Sequence, residues 1–197
     1  MITRLAERPL TTKYGSFTEV LYYDGLKESL AIVMGQVVDS ENVLCRVHSA
    51  CISAHVFNSI ECDCREQMET SQELISQAGK GIIIWLDQEG RGNGHFALIN
   101  SAKLATNENI TQTEAYKRLG FSEDARSFVR AAEILNDLRI KSVVLLTNNP
   151  EKAKDLVRDG IRVSNTLRVA VDVKDNANLR KYYADKIARG HDLKIEG

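Results

Sequence analysis

Gly81-Ile82-Ile83-Ile84-Trp85-Leu86 is an unbroken apolar run that leads directly into Asp87-Gln88-Glu89-Gly90-Arg91-Gly92-Asn93-Gly94. Such a run, without polar alternation, suits a strand covered on both faces. Lys141-Ser142-Val143-Val144-Leu145-Leu146-Thr147 repeats the pattern, and Asn148-Asn149-Pro150-Glu151-Lys152 follows it. There Asn149 is a natural helix cap, and Pro150 stands in a first turn that needs no backbone donor. Both loops therefore follow buried strands, the position where open α/β sheets hold their ligands.

Working outward, Ser16–Tyr23, Ser29–Val37 and Leu44–Ser49 read as strands, punctuated by Asp24-Gly25 and Gly35. Asp63 with Glu66 three residues later resembles a capping box, opening a helix that runs to about Ala78 before Gly79. Helical spacing covers about Leu98–Thr106 and Ala125–Asp137, the latter with Phe128, Ala132, Ile134 and Leu135 on one side. A helix from Asn149 ends near Gly160, Arg162–Val173 reads as a short β pair, and Asn176–Arg189 as a polar helical segment. Strands first and mixed elements later predict an α/β (mixed α+β) fold. We expect one domain over residues 1–197, with a β-rich N-terminal half, a mixed sheet flanked by helices, and a polar tail from about residue 174.

The 197 residues are enough for a substantial core, and 43% hydrophobic with 27% charged residues is an ordinary globular composition. A formal net charge of −1 provides no global field for nucleic acid or an anionic membrane, so any phosphate recognition is local. The N-terminus carries charges where a signal peptide needs an apolar core, and no apolar run approaches the ~18 residues of a membrane span. Four cysteines in that context predict reduced thiols and a cytoplasmic protein.

Cys51, Cys62 and Cys64 fall close together, the last two as Cys-Asp-Cys. Three thiolates are one ligand short of a closed structural zinc site, and catalytic zinc keeps one position open for water. In an extended segment a Cys-x-Cys pair points both sulfurs to one face. The competing reading is plain core, which suits Cys45 in its apolar run. His48 and His55 are candidates for a fourth, closing ligand.

In the loop after Leu86, glycines permit close approach of backbone to a ligand and Arg91 can grip phosphate with two donors. It is not a Walker A loop, since no Gly-Lys-Ser/Thr ends it. Thr147 to Lys152 gather a hydroxyl, a lysine and a helix N-terminus, which suits an anion. Asp124 and Arg126 can pair within one turn. Taken singly these are equally a flexible loop, a capped helix and a surface ion pair.

In combination they are more specific. Arg46-Val47-His48-Ser49-x-Cys51, Cys62-Asp63-Cys64 with Gln67, Gln88-Glu89-Gly90-Arg91, Leu119-Gly120-Phe121 with Asp124-x-Arg126, and Leu145-Leu146-Thr147-Asn148-Asn149-Pro150-x-Lys152 occur in that order. The chain in this respect resembles GTP cyclohydrolase II, which opens the guanine ring at the start of riboflavin synthesis. The resemblance implies that family's fold, a homodimer, and one zinc ion per chain on Cys51, Cys62 and Cys64. It implies a nucleotide site lined by Arg46, Val47, His48, Ser49, Ala50, Gln67, Glu89, Gly90, Arg91, Thr147 and Lys152. Asp124 would be the general base, and Arg126 the nucleophile toward the α-phosphate. Magnesium would accompany the triphosphate without dedicated protein ligands. Pyrophosphate and formate would leave, giving a diamino-(phosphoribosylamino)pyrimidinone. Arginine stays protonated in proteins, so an electrostatic role for Arg126 is the milder reading.

The chain also departs from the family pattern. Ala50 stands where a glutamate is usual, Ser53-Ala54-His55 replaces Thr-Gly-Asp, and Arg65 replaces a glycine. Gly92-Asn93-Gly94-His95 replaces Asn-Ile-Gly-Leu, Thr111-Gln112-Thr113-Glu114-Ala115 replaces Asp-Thr-Val-Glu-Ala, and the family's tyrosine falls on Ala102 or Lys103. Three functions follow as expectations. The first is complete GTP cyclohydrolase II chemistry. The second is a divergent enzyme that stops at a formamidopyrimidine or takes another nucleotide. The third is a non-catalytic zinc module that binds nucleotide.

Overall fold

The computed structural model describes residues 1–169, 171 and 177–193. Among them one seven-stranded mixed sheet carries seven helices and a short 3₁₀ turn. Strands β1 (Thr3–Thr12), β2 (Gly15–Tyr23) and β3 (Glu28–Met34) form an antiparallel meander. β3 then pairs antiparallel with β5 (Gly81–Leu86). From there β5, β4 (Val43–Ser49), β6 (Val143–Leu146) and β7 (Val163–Leu167) run parallel, giving the order β1-β2-β3-β5-β4-β6-β7.

The central position of β5 explains its unbroken apolar sequence. Ile82, Ile84 and Leu86 pack with Val47, Cys45 and the helix α5 (Val129–Asp137), whose Ala131, Ile134 and Leu135 are buried. Ile83 points the other way, to Ile75 of α2 (Cys64–Ala78), Phe17 and Leu146. The period of two thus divides one strand between two cores. Gly81 lets α2 lie close, since a Cβ there would sit 2.7 Å from the Ile75 side chain and 2.9 Å from the Leu44 carbonyl oxygen.

Several elements differ from the sequence expectations. β1 was not foreseen, because its burial pattern is almost wholly exposed and it contains Pro9. It is an edge strand pairing only with β2, which is where a proline is tolerated. α3 (Gly94–Glu108) starts earlier than its apolar spacing suggests, and α5 starts later, at Val129. α4 (Gln112–Arg118) was also unforeseen, yet Thr111 caps it, accepting from the Glu114 N–H at 3.1 Å. The Asp63/Glu66 capping box does not form: Asp63 is the N-cap residue but makes no side-chain cap bond. Of the expected β pair at Arg162–Val173, the described residues form the strand β7, which pairs with β6. Ala170 and residues 172–173 of that expectation, with 174–176 and 194–197 of the tail, lie outside the described residues. The helix α6 (Pro150–Arg158) begins as expected, with Asn149 Oδ1 accepting from the Glu151 N–H at 3.0 Å. α7 (Ala177–Ala188) is the expected polar helix.

Candidate active site

Parallel strands end on the same edge, so the segments after β4, β5 and β6 converge there. β4 delivers Arg46, His48 and Ser49, and the short helix α1 (Ile52–His55) follows Cys51. α2 begins at Cys64 and supplies Gln67 one turn later. The Sγ atoms of Cys51, Cys62 and Cys64 all lie within 4.8 Å of one another, with Cys51 and Cys62 3.7 Å apart. A tetrahedral zinc ion ~2.3 Å from each sulfur would hold them roughly 3.8 Å apart, so the donor set fits. Cys62 and Cys64 reach one side through a turn and the start of a helix, not through an extended segment, since Asp63 has φ −97° and ψ 16°.

Hydrogen bonds from Cys62 and Cys64 pull the Cys51 thiol down to about 3, while the bond with Cys51 pushes Cys64 up to about 11 and raises Cys62 as well. Cys45 lies apart in the core, where burial pushes it up to about 12.

Neither histidine joins the sulfurs as a fourth ligand among the described residues. His48 stacks on Trp85 at 5.5 Å, and its Nδ1 accepts from Arg46 Nε at 3.3 Å. His55 Nδ1 sits 2.6 Å from the Cys51 carbonyl oxygen. The Nε2 atom of each is buried, with no hydrogen-bond partner among the described residues. That of His48 belongs to a ring that lines the central cavity. Burial and the Arg46 charge hold His48 neutral, well below its ordinary range.

The cavity is bounded by Arg46, Arg91, Arg126, Lys152, Lys186 and Arg189, with no carboxylate lining it among the described residues. Arg46 donates to the Leu146 carbonyl at 3.0 Å and also to Gln67 Oε1. Lys152 Nζ donates to the Val47 carbonyl at 2.8 Å and lies 5.1 Å from the Phe128 ring centroid. Burial, with Arg46 and Arg126 nearby, pulls Lys152 well below the usual lysine range. Arg91 takes a left-handed φ of 57° in the turn Gly90–Gly92 and donates to Thr113 Oγ1 at 2.8 Å. Gly92 is obligatory there, because a Cβ would lie 2.7 Å from the Ala125 backbone. Thr147 accepts from the Asn149 N–H at 3.0 Å.

Arg126 grips Asp124 with two bonds, Nε to Oδ1 at 2.8 Å and Nη2 to Oδ2 at 2.5 Å. Burial alone would lower the Arg126 pKa, but Asp124 outweighs it and the guanidinium is held more firmly protonated than usual. Asp124 itself lines an adjoining recess with Arg126, Arg189 and His191.

The model of the family described as GTP cyclohydrolase II matches residues 3–168. The chain belongs to the GTP cyclohydrolase II family. It is 37% identical over 183 residues to a GTP cyclohydrolase-2 of Vibrio parahaemolyticus, covering 90% of each chain. It is 39% identical to a GTP cyclohydrolase-2 of Archaeoglobus fulgidus, covering 97% of this chain and 50% of that one. It is 37% identical to a riboflavin biosynthesis protein RibBA of Endomicrobium trichonymphae, with 98% and 48% covered. The chain thus spans about half the length of several of its relatives. A solved two-domain RibBX, a 3,4-dihydroxy-2-butanone 4-phosphate synthase from A. baumannii, shares the fold at a TM-score of 0.50 and 21% identity, covering 87% of this chain and 40% of that one.

Set against the GTP cyclohydrolase II pattern, the cavity gathers Arg46, His48, Ser49, Cys64, Gln67, Arg91, Arg126, Thr147 and Lys152. The other expected residues stand behind it. Val47 is core and offers only its carbonyl. Ala50 donates its N–H to the Leu86 carbonyl at 2.9 Å. Glu89 accepts from the Ile52 N–H at 2.9 Å, fixing the cysteine loop, and buried Gly90 begins the turn that carries Arg91. Ala102 lines a neighbouring cleft together with Tyr182.

Sequence reasoning missed one whole wall. Tyr182, Lys186, Arg189 and His191 all line the cavity, and they lie beyond the residues matched by the family model. It also missed Asp63, fully buried between two of the cysteines, which accepts from Gln67 Nε2 at 2.5 Å, Tyr183 Oη at 2.9 Å and Lys186 Nζ at 3.0 Å. Burial would raise its pKa, but Lys186 and these bonds hold the carboxyl below the usual range. The signal was present as spacing, since Tyr182, Lys186 and Arg189 follow i, i+4, i+7 along one helix face.

Proposed function

We propose that this chain hydrolyses GTP, opening the imidazole ring of guanine and releasing pyrophosphate and formate. The observation that carries the reading is, among the described residues, a trio of cysteine sulfurs without a fourth protein ligand, beside a cavity lined by six cations and no carboxylate. Cys51, Cys62 and Cys64 would hold zinc, which supplies a water acidic enough to act as hydroxide near neutral pH. Arg46, Arg91 and Lys152 bind the phosphates, with magnesium accompanying the triphosphate. His48 lines the substrate cavity, and its buried Nε2 has no partner among the described residues. One water cleaves the phosphoanhydride, and two more are consumed in opening the ring and freeing formate.

The geometry favours an electrostatic Arg126 over a nucleophilic one. Asp124 occupies its Nε and Nη2, and the pair stabilises the protonated guanidinium. A charged donor suits the developing negative charge on phosphate and has no free lone pair for attack. Asp124 remains the candidate base, with Arg126 setting its orientation. The exposed apolar side chains Val56, Phe57 and Ile60 of the cysteine loop support association into a homodimer.

A second reading, a ring-opened formamide product without formate, is motivated by Ala50 and Ala102, which offer no functional group near the site. Zinc-loaded protein incubated with GTP and magnesium, with pyrophosphate and formate scored separately, decides between them. Equal yields are expected. Pyrophosphate or a formamide without formate selects the second reading, and no turnover sinks both.

A further inference from the structure

We propose that α7 and the turn after it are part of the phosphate-binding wall: Lys186 and Arg189 hold the nucleotide's phosphates together with Arg46, Arg126 and Lys152. The inference rests on reading the cavity as a nucleotide site. Two of the six cations lining that cavity among the described residues come from this helix (Lys186) and the turn that follows it (Arg189), although the family pattern matched here ends at residue 168.

The helix is held in place by contacts with the site, not by the main cores. Asp185 pairs with Arg91 at 3.0 Å and accepts from Thr113 Oγ1 at 3.1 Å. Tyr183 and Lys186 both bond to Asp63, the buried residue between two cysteines. Arg189 Nη2 meets Asp124 Oδ2 at 3.3 Å, and the Asp192 N–H donates to the Asn148 carbonyl at 2.9 Å. Its apolar contribution is a small separate cluster of Leu179 and Tyr183. A helix docked mainly through charges of the site is placed there by the site.

The arrangement of charges suits an anion between them. Arg46, Arg91, Arg126, Lys152, Lys186 and Arg189 face one space, and the carboxylates that pair with four of them (Asp63 with Lys186, Asp124 with Arg126 and Arg189, Asp185 with Arg91) stand outside its lining. Concentrated positive charge around a shared void repels itself unless a polyanion fills it. Tyr182, beside Lys186 with the ammonium 4.2 Å from its ring centroid, closes the corner next to Cys64. The helix therefore lines the cavity as well as charging it.

The test uses full-length protein and inorganic tripolyphosphate, which probes the phosphate subsite without a base. Affinity is measured by calorimetry for the natural chain and for Arg189→Gln, Lys186→Met and Lys181→Met. Arg189→Gln and Lys186→Met should each weaken binding about 10- to 100-fold, the worth of a charge-assisted hydrogen bond. Arg189→Lys should recover part of the loss. Lys181→Met removes a cation from the same helix, bonded to Asn109 at 3.0 Å outside the central cavity, and should leave the affinity unchanged. Unaltered affinity in the first two variants overturns the proposal, as does an equal loss in Lys181→Met, which would make the helix merely structural. Tripolyphosphate binding that depends on α7, without turnover of GTP, retains the wall and rejects the substrate. No tripolyphosphate binding by the natural chain rejects both.

Discussion

The antiparallel and parallel halves of the sheet treat charge in opposite ways. Along β1 and β2, charges stand in water as pairs, such as Arg8 with Glu19 at 2.5 Å, where the arginine side chain is 67% exposed. At the ends of β4, β5 and β6 the charges are buried, with Arg46 at 4% and Lys152 at 5% exposure. Antiparallel strands end alternately at opposite edges, so their loops cannot converge. Parallel strands all end at one edge, and the loops there can gather enough partners to hold buried cations. Strand direction, more than composition, decides where chemistry is possible in this molecule.

The sharpest way to break the contrast is to remove a sulfur. Cys64→Ser should abolish stoichiometric zinc binding and, with it, turnover of GTP, because two thiolates cannot hold the ion in this geometry. Metal analysis of the purified protein checks the first half independently of the second. Retained zinc with a full set of products would show that the cysteines are core, not ligands.

Lys152→Met comes next, and its two effects should have opposite signs. The ammonium is buried and its protonated form is disfavoured by burial, Arg46 and Arg126, so an apolar side chain on Phe128 should leave the fold as stable or more so. If Lys152 holds phosphate as proposed, its loss should lower kcat/KM for GTP by on the order of 30-fold or more, following the ~2–5 kcal/mol typical of a truncated buried charge pair. Denaturant midpoints and steady-state kinetics on one preparation separate the two. A parallel fall in both would mean that Lys152 mainly supports structure.

The parallel half was also the more legible in sequence. β5 announced itself because both faces are buried, leaving an unbroken apolar run, and Asn149-Pro150 marked α6 through local cap chemistry. β1 was illegible because an exposed edge strand has no buried face to impose alternation. Asp63 misled through a real local signal: its place before α2 suits a cap, but tertiary partners on α7 took its carboxylate. The motifs that mark the family's site were read because they are contiguous. The α7 wall was not, because polar residues on a helix look alike whether they face water or a cavity.

The pH dependence separates the halves more gently. Burial, then Lys186 and Arg189, with Arg126 and Lys152 beyond, pull His191 down to about 3. In the unfolded chain the same imidazole takes up its proton near pH 6.5. Between those values the unfolded state binds more protons, so stability falls as pH drops from 7 toward 5. Asp24 in the antiparallel half has a carboxyl lowered by the backbone N–H groups of Lys27 and Leu26, so its contribution is lost only as pH falls below about 4. Denaturant midpoints at pH 7 and pH 5 should differ, and His191→Asn should reduce that difference while Asp24→Asn should not. The reverse pattern would place the titration outside the site.

Arg8→Ala should do least of all. Its partner Glu19 is on the neighbouring strand, the arginine is largely in water, and salt and solvent compete for both charges. An exposed pair of this kind contributes about 0.2–1 kcal/mol, and the side chain gains rotamer freedom when released. The expected change in unfolding free energy is therefore within about 0.5 kcal/mol, with kinetics for GTP unaltered. A loss above ~2 kcal/mol, or any change in KM, would mean that β1 supports the distant loops through the sheet. The division would then run not between the two halves but between the sheet and everything mounted on it.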